Sequence, residues 1–292
     1  MGAGRGVVAE ARSFARVAAT VAAAAMLTSC ATEAQLSPLE RARGVNQSKH
    51  VGKLFADGPE VVDDVLGIKT TKLFFPTSET LVLSDTSVEA QLRAASIAVT
   101  TNAPMMVYDP ARHAEYVQMI ADMRTVNVLT VGDVAIAPSK GAVSVRRDPG
   151  GLRALEQMTA LRYRERTVDT PQDAVREVSS LYQREPLWLR AQWADPAVLP
   201  AANPEPFPIQ SRRDANMAPR VVATWESSIP SVANARSYGA DVTVVPLADP
   251  RRSEETLFAM AGLAERPLVA LGGQFGTSDE LVGRIREAEA AY

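Results

Sequence analysis

Short apolar runs alternate with amphipathic stretches along most of this chain of 292 residues. One set predicts a strand over 80–84, a helix over 87–100, a strand over 104–108, a helix over 111–123 and a strand over 126–131, ending at Gly132-Asp133. Leu92, Ala95, Ile97 and Ala98 supply the approximate apolar face of the first helix. Tyr116, Val117, Ile120 and Met123 fall on one side of the second. Pro104 is compatible with a strand only at its first position. A second set predicts strand 220–224, helix 229–238, strand 241–247, helix 253–264 and strand 267–271. A last helix starts at Thr277, with Glu280 three positions on completing a capping box. Nearly continuous apolar strands separated by helices predict parallel sheets covered on both faces.

The two sets are copies of one unit. Leu81-Val82-Leu83-Ser84 corresponds to Val221-Val222-Ala223-Thr224, Asp109-Pro110 to Asp249-Pro250, and Val131-Gly132 to Leu271-Gly272. All three correspondences share one offset of 140 residues. Between them, 141–190 shows a weaker pattern of the same kind: Val143-Ser144-Val145, helix 151–161, Arg164 to Val168 and helix 171–183. Residues 186–219 carry Pro at 186, 196, 200, 204, 206, 208 and 219, a density that reads as an extended connector. Trp188 and Trp193 imply that this connector packs onto the fold.

The N-terminus reads as an address. Arg5, Arg12 and Arg16 precede 11 residues, Val17 to Leu27, that are apolar apart from Thr20. That run is too short for a bilayer core of roughly 30 Å and matches the apolar region of an export signal. Leu27-Thr28-Ser29-Cys30 resembles the lipobox of bacterial lipoproteins, which implies a lipid on the Cys30 sulfur and cleavage before it. The alternative is a plain secretory leader cleaved near Ala31. The expected organisation is a signal peptide over 1–29, a tether over 30–60, a first unit over 61–145, a degenerate segment and connector over 146–218, and a second unit over 219–292. No later apolar run reaches 18 residues.

Composition narrows the chemistry. A formal charge of −3 and a pI near 5.6 exclude the basic face of a nucleic-acid binder. Removing the leader, with its three Arg and one Glu, leaves −5. One Cys rules out an internal disulfide, and two His make a multi-histidine metal site improbable. Neither a cofactor nor a metal is expected. Of the 31 basic residues only those at 49, 53, 69, 72 and 140 are Lys.

Several stretches resemble the cell wall-binding repeat 2 family. These are Leu81 to Ser84, Ala94-Ala95-Ser96-Ile97-Ala98, Asn102-Ala103-Pro104-Met105-Met106-Val107, Val126 to Gly132, and Ala135-Ile136-Ala137. The second copy keeps Gly272-Gly273 where the first has Gly132-Asp133, so the glycine pair departs from the family in the copy that otherwise fits best. The resemblance implies a flavodoxin-like module, often repeated, that attaches exported proteins to envelope polymers without catalysis. The expected fold class is therefore α/β, with tandem flavodoxin-like or Rossmann-like three-layer units and parallel sheets.

In open parallel sheets ligands lie outside the carboxyl ends of the strands. Those ends carry Asp85, Asp109, Asp133, Trp225, Glu226, Asp249 and Gln274, which are the candidate ligand-binding residues, with Trp225 as a stacking platform. The same Asp residues are equally good turn and cap residues. Gly272-Gly273-Gln274-Phe275-Gly276 lacks the spacing of a dinucleotide loop and reads as a tight turn. Ser84, Asp85 and His113 lack a nucleophile-elbow context. Arg251 and Arg252 are the candidate polymer contacts, against ordinary solvated charge. The expected function is a non-catalytic lipoprotein anchored outside the cell membrane that binds a cell-wall polysaccharide, another envelope polymer or an envelope partner. The alternative is a solute-binding lipoprotein with two α/β lobes.

Overall fold

A computed structural model describes residues 36–136, 141–199, 203–211 and 217–292. The expected leader and Cys30 lie outside the described residues. The elements alternate as the apolar pattern predicts. Helix α1 (Pro38–Gln47), strand β1 (Pro59–Val62) and helix α2 (Ile68–Phe74) come first. There follow β2 (Thr80–Ser84), α3 (Val88–Thr101), β3 (Met105–Val107), α4 (His113–Asp122), β4 (Asn127–Val131) and β5 (Ser144–Arg147). The middle of the chain forms α5 (Leu152–Thr159), β6 (Arg164–Val168), α6 (Ala174–Ser179) and β7 (Leu187–Ala191). The last part forms β8 (Arg220–Ala223), α7 (Ile229–Tyr238), β9 (Val242–Val244), α8 (Glu254–Met260), β10 (Leu268–Leu271) and α9 (Ser278–Ala291). Thr277 caps α9 with the full capping box read from the sequence.

The fold is α/β with parallel sheets throughout. One sheet has the order β3-β2-β4-β5, a second β9-β8-β10-β1, and β6 pairs with β7 in a third. The two four-stranded sheets share one topology, but β1, from the N-terminal side of the first unit, takes in the second sheet the place that β5 takes in the first. Residues 38–62, expected as tether and the start of the first unit, thus contribute a helix and a strand. Their signal is weak because α1 buries only Leu39 and Asn46, and β1 is four residues at a sheet edge. Strand β7 lies inside the Pro-rich stretch that reads as a connector. It runs between Pro186 and Pro196 and pairs on one side only, which the prolines tolerate.

Alternate strand residues face opposite layers. Leu81, Leu83 and Met106 pack outward with Tyr116 and Ile120 of α4, and Val222 and Leu268 pack outward with Leu281 and Ile285 of α9. Val82, Leu129, Val221 and Val269 face inward and join one core with α3, α6, α7 and β7. All but three of the 14 residues of α3 and nine of the ten of α7 are buried, so these helices have no solvent face. Their small side chains let them pack against each other. The packing is cyclic: α3 lies on β7, α6 on β9 and α7 on β3. Three β-α-β units therefore surround three inner helices, each helix resting on the edge strand of the next unit.

Candidate functional site

A cavity of about 280 Å³ opens at the carboxyl ends of β2 and β4, roofed by residues 194–199. Its floor is built from the start of α3. Ser87 caps that helix, its Oγ accepting from the Ala90 N–H at 3.3 Å. Asp85 holds the cap: Oδ1 accepts from the Ser87 N–H at 2.8 Å and hydroxyl at 2.6 Å, and Oδ2 from the Asp133 N–H at 2.8 Å. This closure requires a glycine at 132, where φ is +81° and a Cβ would lie 2.1 Å from Asp85 Oδ2.

Six residues after the cap, Arg93 is buried against the cavity. Its Nε and Nη2 bind the two carboxylate oxygens of Asp148, with Nη2–Oδ1 at 2.8 Å, and Nη2 also donates to the Gly151 carbonyl at 3.1 Å. The guanidinium carbons of Arg93 and Arg190 lie 5.1 and 5.6 Å from the Trp188 ring centroid. Nη1 of Arg93 and Nε of Arg190 are buried without a hydrogen-bond partner among the described residues. At the rim, Trp193 Nε1 donates to Glu89 Oε1, and Asp195 adds a further carboxylate. The roof is fastened by the Leu199 N–H on the Pro149 carbonyl at 2.8 Å. The lining thus combines apolar wall, fixed cations and carboxylates, an arrangement suited to a ligand carrying both donors and acceptors.

Of the residues singled out in the sequence, Asp85 and Asp133 meet here, with the Asp85 carboxylate occupied by its own loop. At the second sheet Gln274 closes the corresponding turn: Nε2 donates to Thr224 Oγ1 at 2.8 Å, Ser227 Oγ at 3.1 Å and the Leu271 carbonyl at 3.2 Å. Trp225 and Glu226 stand exposed on the loop between β8 and α7, Trp225 at 56%. Asp109 caps a short 3-10 turn by accepting from the Ala111 N–H at 2.9 Å. Asp249 accepts from the Arg251 N–H at 3.0 Å and from its guanidinium at 2.7 and 3.0 Å. That guanidinium holds the Asp249 carboxyl below the usual carboxylate range. Arg251 also binds Glu287 at 2.8 Å, so its fork is engaged within the protein, while Arg252 is exposed.

Ser84 is buried at the end of β2, and His113 Nδ1 lies 2.9 Å from the Tyr108 hydroxyl. Residues Arg93, Asp148 and Glu89, which shape the cavity, were not candidates from the sequence. The signal was present in Arg93, a charge inside Leu92-Arg93-Ala94-Ala95, on a helix whose other residues are mostly apolar.

Among solved structures, the chain resembles Cwp6 from Clostridium difficile, with a TM-score of 0.47 and 14% identity over 80% of this chain and 48% of that one. The chain thus spans about half the length of that protein. No family model and no curated protein matches it.

Proposed function

We propose that this chain is a non-catalytic lipoprotein, anchored by Cys30 on the outer side of the cell membrane, that holds a cell-wall polysaccharide or another envelope polymer in the crevice of its first unit. The observation that carries this reading is the crevice itself, which lies outside the strand carboxyl ends on a continuous frame. Its carboxylates are mostly committed: Asp85 to its own loop, Asp148 to Arg93, and Glu89 to Trp193. Groups held in this way position a ligand and leave no paired acid and base for bond cleavage. The apolar wall with polar rim suits a sugar ring, which presents both C–H faces and hydroxyls.

The unbroken core supports this module over a two-lobed solute-binding protein. A hinged pair of lobes needs a boundary crossed by few contacts, whereas here one core joins Val82, Leu187 and Val221, one from each sheet.

The test is retention on purified wall material of the full chain carrying Cys30→Ala, so that the lipid does not contribute. Glu89→Ala combined with Asp195→Ala should lower retention about tenfold, with unchanged circular dichroism. No retention of the parent at low salt sinks the polymer reading. Cys30→Ala should also move the protein from the membrane fraction to the soluble one, and its persistence in the membrane fraction removes the anchor.

A further inference from the structure

A second cavity, of about 180 Å³, lies at the opposite, amino-terminal end of the second sheet. Lys49, His50, Arg220 and Arg266 line it, and among the described residues no Asp or Glu does, although the chain as a whole is acidic. We propose that this cavity is an anion site that takes a phosphate group, presented either by an envelope polymer or by a lipid headgroup. The inference stands apart from the crevice described above and does not depend on what that crevice binds.

These four side chains come from three distant parts of the sequence and are brought together by the docking of α1. Asn46 Nδ2 donates to the carbonyls of Phe258 and Ala261, both at 2.9 Å, and Gln47 Nε2 donates to Gly262 at 2.9 Å. The chain beyond is held from its other end by the Gly52 N–H on the Met217 carbonyl at 2.9 Å. Lys49 and His50 are therefore fixed between two clamps, beside Arg220 at the start of β8 and Arg266 before β10. Arg220 spends one amino group on the Val45 carbonyl at 3.2 Å, the exposed end of α1. Its Nε is buried and has no hydrogen-bond partner among the described residues.

Burial penalises charges gathered in this way, and their mutual repulsion adds to it. The Lys49 pKa is lowered from its usual value by desolvation first, against the pull of Asp241, with a smaller lowering from Arg220. Asp241 is itself bound to Arg236 at 3.2 Å and is mostly exposed. An anion in the cavity relieves this repulsion and supplies an acceptor for the Arg220 Nε, whose fork suits phosphate oxygens.

The full chain in neutral detergent micelles is titrated with inorganic phosphate, and separately with micelles doped with phosphatidylglycerol, by calorimetry. Saturable phosphate binding is expected, weakened at least tenfold by Arg266→Gln, an exposed position that leaves the fold intact, and by Lys49→Gln. Arg184→Gln, at an exposed residue outside the cavity, should leave it unchanged. A response to the doped micelles alone, abolished by the same two substitutions, assigns the site to a lipid headgroup. No saturable response to either probe overturns the proposal, as does an equal loss with Arg184→Gln, which would mean that only general charge is being read.

Discussion

Arg93 and Asn234 stand at the same place in two copies of one unit, six residues after the serines that cap α3 and α7. Each is buried and faces the loop that follows the fourth strand of its own sheet. In the second unit that loop carries Asp64, whose carboxylate turns back on its own chain, accepting from the N–H groups of Ile68 at 3.0 Å and Thr70 at 2.7 Å. The Asp64 carbonyl takes the hydroxyls of Ser228 and Ser231. This leaves Asn234 free to read the backbone of β3, accepting from Met105 N–H at 2.7 Å and donating to its carbonyl at 3.0 Å. Gly67, Thr70 and Thr71 offer further acceptors within 3.1 Å, more than the two amide hydrogens can fill. In the first unit Asp148 keeps one such bond, from the Gly150 N–H at 3.2 Å, but also takes the Arg93 fork, and Arg93 and Asp148 line the crevice. The same junction is thus satisfied and closed in one unit, and charged and hollow in the other. The crevice lies in the unit whose junction carries a charged pair in place of the neutral contact.

The comparison breaks first at the buried ion pair. Asp148→Ala strands a guanidinium in the core and should cost about 3–5 kcal/mol in denaturant unfolding. Asn234→Ala leaves the Met105 N–H and carbonyl without this partner, for about 1–3 kcal/mol. Equal losses would mean that the charge adds nothing to the first junction. Replacing both partners, Arg93→Leu with Asp148→Leu, should recover most of the first loss, since a buried pair exchanged for packed apolar groups is often neutral. The double variant should then also fail to retain wall material.

The roof of the crevice gives a smaller effect. Gly150 has φ of +81°, and a Cβ there would lie 1.9 Å from the Ala197 carbonyl oxygen. Because the obstacle is backbone, Gly150→Ala must displace the segment that covers Arg93. A loss of about 1–3 kcal/mol is expected, together with faster proteolysis within 192–199. Unchanged proteolysis would show that the roof is held elsewhere, beyond Leu199 on Pro149.

Much of the architecture was legible because strands buried on both faces must be apolar throughout. Strand 220–224 and helix 229–238 fall within one residue of β8 and α7 for that reason. The offset of 140 holds at the first strand, at Asp109 and at the last strand of the repeat, whereas β9 starts 137 residues after β3, since α7 is shorter than α3. A second offset, of 84, relates Asp64 to Asp148, Gly67 to Gly151 and β3 to the end of β7. Asp85-Thr86 recurs as Asp169-Thr170 at the same offset, and the glycines share a positive φ of +79° and +75° that no apolar pattern reveals. The entry of β1 into the second sheet was illegible, because four edge residues do not say which sheet they join. The crevice was half legible. Asp85 and Asp133 mark the strand ends, but Arg93, Asp148 and Trp188 meet only when three units close around their inner helices.

The smallest effect separates the buried pair from an exposed one. Arg251 binds Asp249 and Glu287 at the surface of the second unit, and it keeps the Asp249 pKa below the value of the unfolded chain. A carboxyl whose pKa is lower when folded stabilises the fold above its unfolded pKa, about 3.9 for Asp. That contribution disappears as the pH falls through the folded value and the carboxyl is protonated in both states. The melting temperature of Arg251→Ala should therefore fall slightly below that of the parent at pH 7, and the gap should close in strong acid. Molar salt should narrow the gap at pH 7 as well, because exposed charges are screened. The Asp148→Ala loss should persist in the same salt, since solvent ions do not reach Arg93. A gap for Arg251→Ala that survives both acid and salt would mean that its stem packs against α9 rather than pairing, and the contrast between the two ion pairs would then lie in burial of apolar surface, not in charge.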